Sequence, residues 1–455
     1  MIRPTLDYKS QKALYMQLYE HIRDDIISGR IAAGEKLPSL RSLSDDISVS
    51  VTTVSSAYNQ LLVEGYLISK PQSGYYAAEM NRHGASDATK SEPVIFESYP
   101  FSEPDYIYDL HCFDFFKWKK CMDEVLTDYS HLLLFESDPQ GEEILRAEIA
   151  RYIYSYRGVN CSADQIVISA GTQQLLNHLA RLTKPLGISR VSVEDPGYEP
   201  VQNIFRDHGF VISKIPVADD GIVIEKLPAN IASAVYVSPS NQFPTGTVMP
   251  IGRRFKLLSW AEENHSLILE DDYDSELRYF GKPVPALQGL DDNGRVIYFG
   301  SFSSTLFPAI KLSYMVLPGM IAKEFNNIKE EYDQPCSKEE QLALSLFIEK
   351  GYYAQNIKRL RNLYSQKLQA VTRTLQESAD FITAINSHSG INITLRVSGK
   401  ASADELCRTA KNLKLQVTHI PALSTPDESV LILYYNQIPL SEIPGCIKAL
   451  IDSWR

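Results

Sequence analysis

Between residues 165 and 317, six short apolar runs are separated by stretches with helical spacing: Gln165–Ser169, Arg190–Glu194, Ala232–Ser238, Leu267–Glu270, Val296–Phe299 and Ser313–Leu317. A strand that is apolar throughout must be covered on both faces, and strands separated by helices run parallel. The rhythm therefore predicts an α/β fold with a mostly parallel sheet wrapped by helices. Past Glu330 helical patterns dominate, broken at Asn392–Val397 and Val430–Tyr435, which predicts a smaller α+β C-terminal part.

The first 80 residues read differently. Leu14, Leu18, Ile22, Ile26 and Ile27 recur at helical spacing up to Gly29. Ser39 stands as an N-cap ahead of Leu40, Leu43 and Ile47. After the polar turn Ser48-Val49-Ser50, a third helix carries Val54, Ala57, Tyr58, Leu61 and Leu62 on one face, and Gly65 ends it. The segment 66–78 then alternates around a Pro-Gln-Ser-Gly tip, as a two-stranded wing does. Two helices joined by a tight turn and followed by a wing predict a winged helix-turn-helix in residues 1–80. Residues 81–93 contain no large apolar side chain and read as a linker to a block spanning 94–455.

Composition narrows the function classes. Aromatic residues make up 10% of the chain, too many for a disordered protein. No apolar run approaches the ~20 residues of a membrane helix, and the N-terminus has no signal core, so a cytoplasmic location without a membrane partner is expected. The six cysteines are scattered with no CxxC pair, which argues against a structural zinc site; no metal is assigned. Net charge is −11, so DNA binding has to come from a local surface. Residues 1–80 hold eight Lys/Arg against nine Asp/Glu. On charge alone, Arg41 would be a surface ion pair and the hydroxyls at 50–53 would be helix caps.

Several motifs occur in a telling order. AAGEKLPSLRSLSDDISVSVTTVSSAYNQLLVEGYLISKPQSGYYA resembles a GntR-type DNA-binding domain. DPQGEEILRAEIARYIYSYRGV, SAGTQQ, EDPGY, SPSNQFPTG, LEDDYDSELRY and GSFSSTLFPAIKLSYMVLP resemble a fold-type I aminotransferase, the PLP-dependent transferase fold. Joined by a linker, the two resemble a MocR-type transcriptional regulator. The resemblance implies promoter DNA, a small-molecule effector and a head-to-tail homodimer as partners, with the large domain providing effector binding and dimerisation.

In a helix-turn-helix the second helix enters the major groove N-terminus first. That places Ser50, Val51, Thr52 and Thr53 over the bases here. The family often carries an Arg where Val51 stands. Arg41, in the family's LPSxR motif, looks like a DNA contact; Lys36, Lys70 and the wing tip Ser73-Gly74 add phosphate or minor-groove contacts.

Pyridoxal phosphate (PLP) is the cofactor the resemblance implies. Gly171, Thr172 and Gln173 follow a strand and open a helix, where N–H groups suit a phosphate. Ser301 and Ser303 resemble the family's second phosphate segment, and Lys311 stands where an Arg is usual. Asp271, at a strand end, is placed to hold the pyridine nitrogen protonated. Tyr273 matches the partner of the ring's phenolic oxygen, and Tyr198 the aromatic that stacks on the ring. Asn241 sits where a His is more usual. The family's S-F-S-K segment, whose Lys forms the Schiff base, reads Ser301-Phe302-Ser303-Ser304 here. A hydroxyl cannot form an imine, and transamination needs that amine as proton shuttle, so no catalytic residue is assigned and no turnover is expected. Pro200 replaces an Arg that relatives use for a carboxylate, and residues 421–444 hold no Arg or Lys.

Three accounts of Ser304 stand open at this stage: non-covalent PLP binding, a different ligand, or a native lysine replaced by design. The other pocket elements favour the first. The rivals to an inactive regulator are an enzyme that uses Lys311 and a DNA-bound regulator with an empty, vestigial pocket.

Overall fold

The computed structural model describes residues 6–10, 12–79, 104–279, 284–378, 380–386, 390–399 and 401–455; the expected linker, 81–93, lies outside them. The chain divides into two compact units, Met1–Phe101 and Ser102–Arg455.

The first unit is a winged helix-turn-helix. Helix α1 (Leu14–Ser28) buries Leu18, Tyr19, Ile22 and Ile26 and ends at Gly29, which takes the left-handed φ of 80°. Ile27 was expected on that face but is 45% exposed. At about 100° per residue, Ile27 falls about 80° beyond Tyr19, past the edge of the buried stripe. Helix α2 (Leu40–Asp46) is capped by Ser39, whose hydroxyl accepts from Ser42 N at 3.2 Å. Helix α3 (Val51–Val63) turns Val54, Ala57, Tyr58 and Leu61 onto α1. Each of these larger side chains contributes roughly 1.5–3 kcal/mol on burial. Strands β1 (Leu67–Lys70) and β2 (Gly74–Ala77) pair from Leu67↔Ala77 to Lys70↔Gly74, forming the wing.

The second unit contains β3 (Ile166–Ala170), β4 (Arg190–Asp195), β5 (Val211–Ala218), β6 (Gly221–Ile222), β7 (Ala234–Val237), β8 (Leu267–Asp271), β9 (Val296–Ser301) and β10 (Leu312–Val316), in the order β3-β10-β9-β8-β7-β4-β5-β6. The run β5-β4-β7-β8-β9 is parallel. Strand β10 lies antiparallel between β9 and β3, and β6 antiparallel against β5. Side chains alternate between two cores. Ile166 and Ile168 of β3 join one cluster and Val167 the other; Tyr298 of β9 joins the first, Ile297 and Phe299 the second. Gly300 has no room for a side chain: a Cβ there would stand 2.3 Å from the ring of Tyr314 on β10.

Helices α4 (Phe115–Asp128), α5 (Glu143–Arg157), α6 (Thr172–Thr183), α7 (Pro200–Asp207), α8 (Ile251–Glu263), α9 (Gly319–Ile328) and α10 (Lys338–Glu349) surround the sheet. A long helix, α11 (Tyr352–Ser378), leads into the C-terminal part. There β11 (Ile382–Asn386), β12 (Ile393–Ser398), β13 (Val417–His419) and β14 (Glu428–Leu433) form an antiparallel sheet ordered β11-β12-β14-β13, with α12 (Ala403–Asn412) and α13 (Ile443–Trp454). Leu395, Leu431 and Leu433 of that sheet share a core with Leu360 and Leu368 of α11 and Ile447 and Leu450 of α13. Among the described residues no helix is long and apolar enough to cross a membrane, and no group of His, Cys, Asp and Glu is arranged to hold a metal ion.

Candidate functional site

The ends of several strands converge on one cavity, as open α/β sheets arrange their ligand sites. Asp271 ends β8, Ser301 ends β9, Tyr198 follows β4, and Thr172 opens α6 after β3. The cavity has a volume of about 310 Å³, and Thr172, Tyr198, Asp271, Tyr273, Ser301, Ser303 and Ser304 line it together.

At one end sits the start of α6. Gly171 is its N-cap, with a φ of 90° that only glycine takes without strain. The N–H groups of Thr172 and Gln173 have no backbone partner among the described residues, so they and the helix dipole present a partial positive charge. Gln173 does not line the cavity; its Nε2 donates to Tyr198 Oη at 3.4 Å. Ser301 Oγ accepts from Ser313 Oγ at 2.9 Å and from Ser303 N at 3.3 Å. Lys311 is exposed, has a left-handed φ of 49°, and does not line the cavity.

Asp271 and Asp274 also line the cavity, and the carboxyl groups of Glu194 and Asp272 act on Asp271 from outside the lining. Asp271 Oδ2 accepts from Tyr236 Oη, a short hydrogen bond. Burial pushes the Asp271 carboxyl up to about 7, against the Tyr236 hydrogen bond and with help from Asp272 and Asp274. Burial also pushes Glu194 up to about 8. Its Oε2 accepts from Ser238 N at 3.3 Å and Gln242 Nε2 at 3.4 Å. Asp272 is the paired exception: Arg157 donates to it from Nε at 2.6 Å and from Nη2 at 2.9 Å, and Tyr298 Oη donates at 2.6 Å. Although buried, that carboxyl is held below its ordinary value by the guanidinium.

Sequence reasoning missed several cavity residues: Phe243, Asp274, Ile391, Asn392 and Tyr434. Phe243 and Asp274 lay within quoted motifs, SPSNQFPTG and EDDYD. The last three come from the C-terminal part and carry no charged group that would have singled them out. Asn241 is buried and does not line the cavity; its Nδ2 would be 3.3 Å from a Cβ placed on Gly390.

On the winged unit, Ser50 serves as the cap of α3: its Oγ accepts from Thr53 N at 3.1 Å and lies 2.9 Å from Thr53 Oγ1. Two of the three hydroxyls expected over the bases, those of Ser50 and Thr53, are thus engaged with each other, while Thr52 is exposed. Arg41 is exposed and makes no ion pair or side-chain hydrogen bond among the described residues, unlike the surface ion pair that charge alone suggested. On the wing, Lys36 Nζ and Lys70 Nζ lie 5.9 and 4.5 Å from the Tyr76 ring centre, and Ser73 Oγ lies 2.6 Å from Tyr76 Oη. Gly74 has a φ of 110°, with Lys36 against it.

Comparison with known proteins agrees with this two-part layout. Residues 14–76 match the family model of bacterial regulatory proteins, gntR family, and residues 114–430 match that of aminotransferase class I and II. The chain is similar to the uncharacterized HTH-type transcriptional regulator YdeL of Bacillus subtilis, at 39% identity over 100% of this chain and 99% of that one. It is similar to the probable rhizopine catabolism regulatory protein MocR of Rhizobium meliloti, at 33% identity over 89% and 86%. Among solved structures, the Pyrococcus horikoshii kynurenine aminotransferase matches with a TM-score of 0.65 at 23% identity, covering 76% of this chain and 89% of that one. This last likeness is one of fold.

Proposed function

Because the chain belongs to the MocR-type branch of the gntR family of bacterial regulatory proteins, with an aminotransferase class I and II domain, we propose that it regulates transcription by binding promoter DNA and sensing PLP, or a PLP-linked or amino ligand, in a cavity that holds the ligand without a covalent bond and without turnover. The observation that carries this reading is the cavity wall itself: Ser304 lines it beside Asp271 and Tyr198, and among the described residues the lining includes no lysine.

The residues fit the cofactor apart from the imine. The free N–H groups at the start of α6, with Thr172, Ser301 and Ser303, form a cradle for a phosphate. Asp271 would pair with the ring nitrogen, Tyr273 would serve the phenolic oxygen and Tyr198 would cover the ring face. When bound, PLP would supply an electron sink, but among the described residues no amine stands at the cavity wall to move a proton. Lys311 is exposed and outside the lining, which disfavours it as a substitute nucleophile.

A ligand switches such a protein only if it binds two domain arrangements with different affinity. A dimer supplies two DNA-reading heads. Leu110, Phe115, Phe116, Leu134, Phe135 and Tyr154 are between 53% and 83% exposed, and large apolar side chains left this exposed support self-association. The test is PLP binding followed by borohydride reduction and mass spectrometry. A raised Tm with no reduced adduct at Lys311 is expected; an adduct at Lys311 with measurable turnover would make the chain an enzyme. No change in Tm or DNA affinity with PLP would leave a DNA-bound scaffold.

A further inference from the structure

Asp274 is only 3% exposed, yet it lines the cavity, and its Oδ2 has no hydrogen-bond partner among the described residues. Its neighbours supply little. The Ser304 hydroxyl and the Ile391 N–H act on the carboxyl, and a Cβ on Gly390 would stand 3.9 Å from Oδ2. Among the described residues, those lining the cavity include two aspartates and no Lys, Arg or His. A buried carboxylate oxygen needs a donor, and here the donor is missing beside the residue that stands at the lysine position.

We propose that the cavity selects the amine form of the vitamin B6 phosphate over its aldehyde form: the ligand's own protonated primary amine takes the place of the absent lysine ammonium, held by the Asp274 carboxylate and the Ser304 hydroxyl. This deepens the reading of the cavity as a cofactor site and rests on it. The aldehyde oxygen only accepts hydrogen bonds, so it brings an acceptor toward the orphaned Oδ2. An alcohol at that carbon donates one hydrogen bond without charge. An ammonium donates three and carries the charge that makes the bond strong. Burial pushes Asp274 up to about 6 in the ligand-free protein, against the Ser304 hydroxyl and the Ile391 N–H. A neighbouring ammonium would hold it ionised. Ser304 is small enough to leave room for the amine and supplies a hydroxyl that can accept one of its hydrogens.

The experiment titrates the full-length protein with pyridoxamine phosphate, pyridoxine phosphate and PLP, reading Kd by calorimetry and Tm by melting. Pyridoxamine and pyridoxine phosphates share ring and phosphate and form no imine, so their ratio isolates the amine. Pyridoxamine phosphate should bind about tenfold tighter or more, the range of one charge-assisted hydrogen bond. Asp274→Asn should remove most of that advantage. Ser304→Lys should remove it too, because the lysine ammonium then satisfies Asp274; this arm serves if Asp274→Asn does not fold. Equal binding of the two ligands by the unaltered protein would overturn the inference while leaving the cofactor site standing. An advantage that survives both substitutions would place the amine elsewhere and overturn it as well. Failure of all three ligands to bind would instead overturn the cofactor reading.

Discussion

Replacing Asp271 with Asn tests the ring-nitrogen role with little change of shape. The amide keeps an oxygen for Tyr236 Oη and loses only the charge. A hydrogen bond to a charged group contributes roughly 1.5–3 kcal/mol, so the Kd for PLP should rise about tenfold to hundredfold. The structure adds a pH signature. Burial pushes the Asp271 carboxyl up to about 7 in the ligand-free protein. Below that value the group must lose its proton before it can pair with a protonated ring nitrogen, and each pH unit costs about 1.4 kcal/mol. The ratio of variant to unaltered Kd should therefore shrink by up to about tenfold per unit as pH falls below 7, approaching one near pH 5 to 6. Taking the ratio cancels the ligand's own titration, which both proteins share. Calorimetric titrations across this range, in buffers matched for ionic strength, read it directly. Equal Kd values near pH 8, or a ratio that does not change with pH, would refute the pairing of Asp271 with the ring.

Other outcomes follow from the same geometry. Glu194, Asp271, Asp274 and Glu276 are pushed up to about 8, 7, 6 and 7, burial being the first cause for each. Unfolded carboxyls titrate near 4, so between those values the folded state holds protons that the unfolded state has released; the ligand-free Tm should fall as pH rises from about 5 to 8, and a Tm that rises across that window would contradict the burial. Arg41→Ala should weaken operator binding in a gel-shift titration at fixed salt and lower the salt slope by about 1; an unchanged affinity would remove Arg41 from the DNA surface. Leu134→Glu places a charge on a side chain that is 83% exposed, so it should spare the monomer's fold but shift sedimentation toward monomer; an unaltered sedimentation profile would put the self-association surface elsewhere.

Legibility in the sequence followed burial. Strands β7 and β8 are buried at nearly every position, and their continuous apolar runs marked them. Strand β5 is largely exposed and carries Lys214 and Pro216, so it showed no such run, and β6 is two residues long. That Asp271, Tyr273 and Ser301 stand at one cavity could be read because a motif and a strand end coincide in the chain. Asp274 could not. Its isolation depends on Gly390–Asn392 returning to the cavity, where Gly390 N donates to Leu277 C=O at 3.1 Å and Tyr279 Oη donates to Gly390 C=O at 2.5 Å. No local pattern encodes a contact across more than a hundred residues. Ser50 shows the opposite limit: its hydroxyl suits both a base contact and an N-cap, and the backbone geometry at the start of α3 makes it the cap.

The most direct measurement is a PLP titration of the full-length protein and of Ser304→Lys, followed by visible absorbance and Tm. The unaltered protein should gain Tm without the absorbance of a lysine-linked cofactor, and Ser304→Lys should gain both. A Ser304→Lys protein that stays colourless, with no gain in Tm in either protein, would mean that this cavity was never shaped to hold the cofactor.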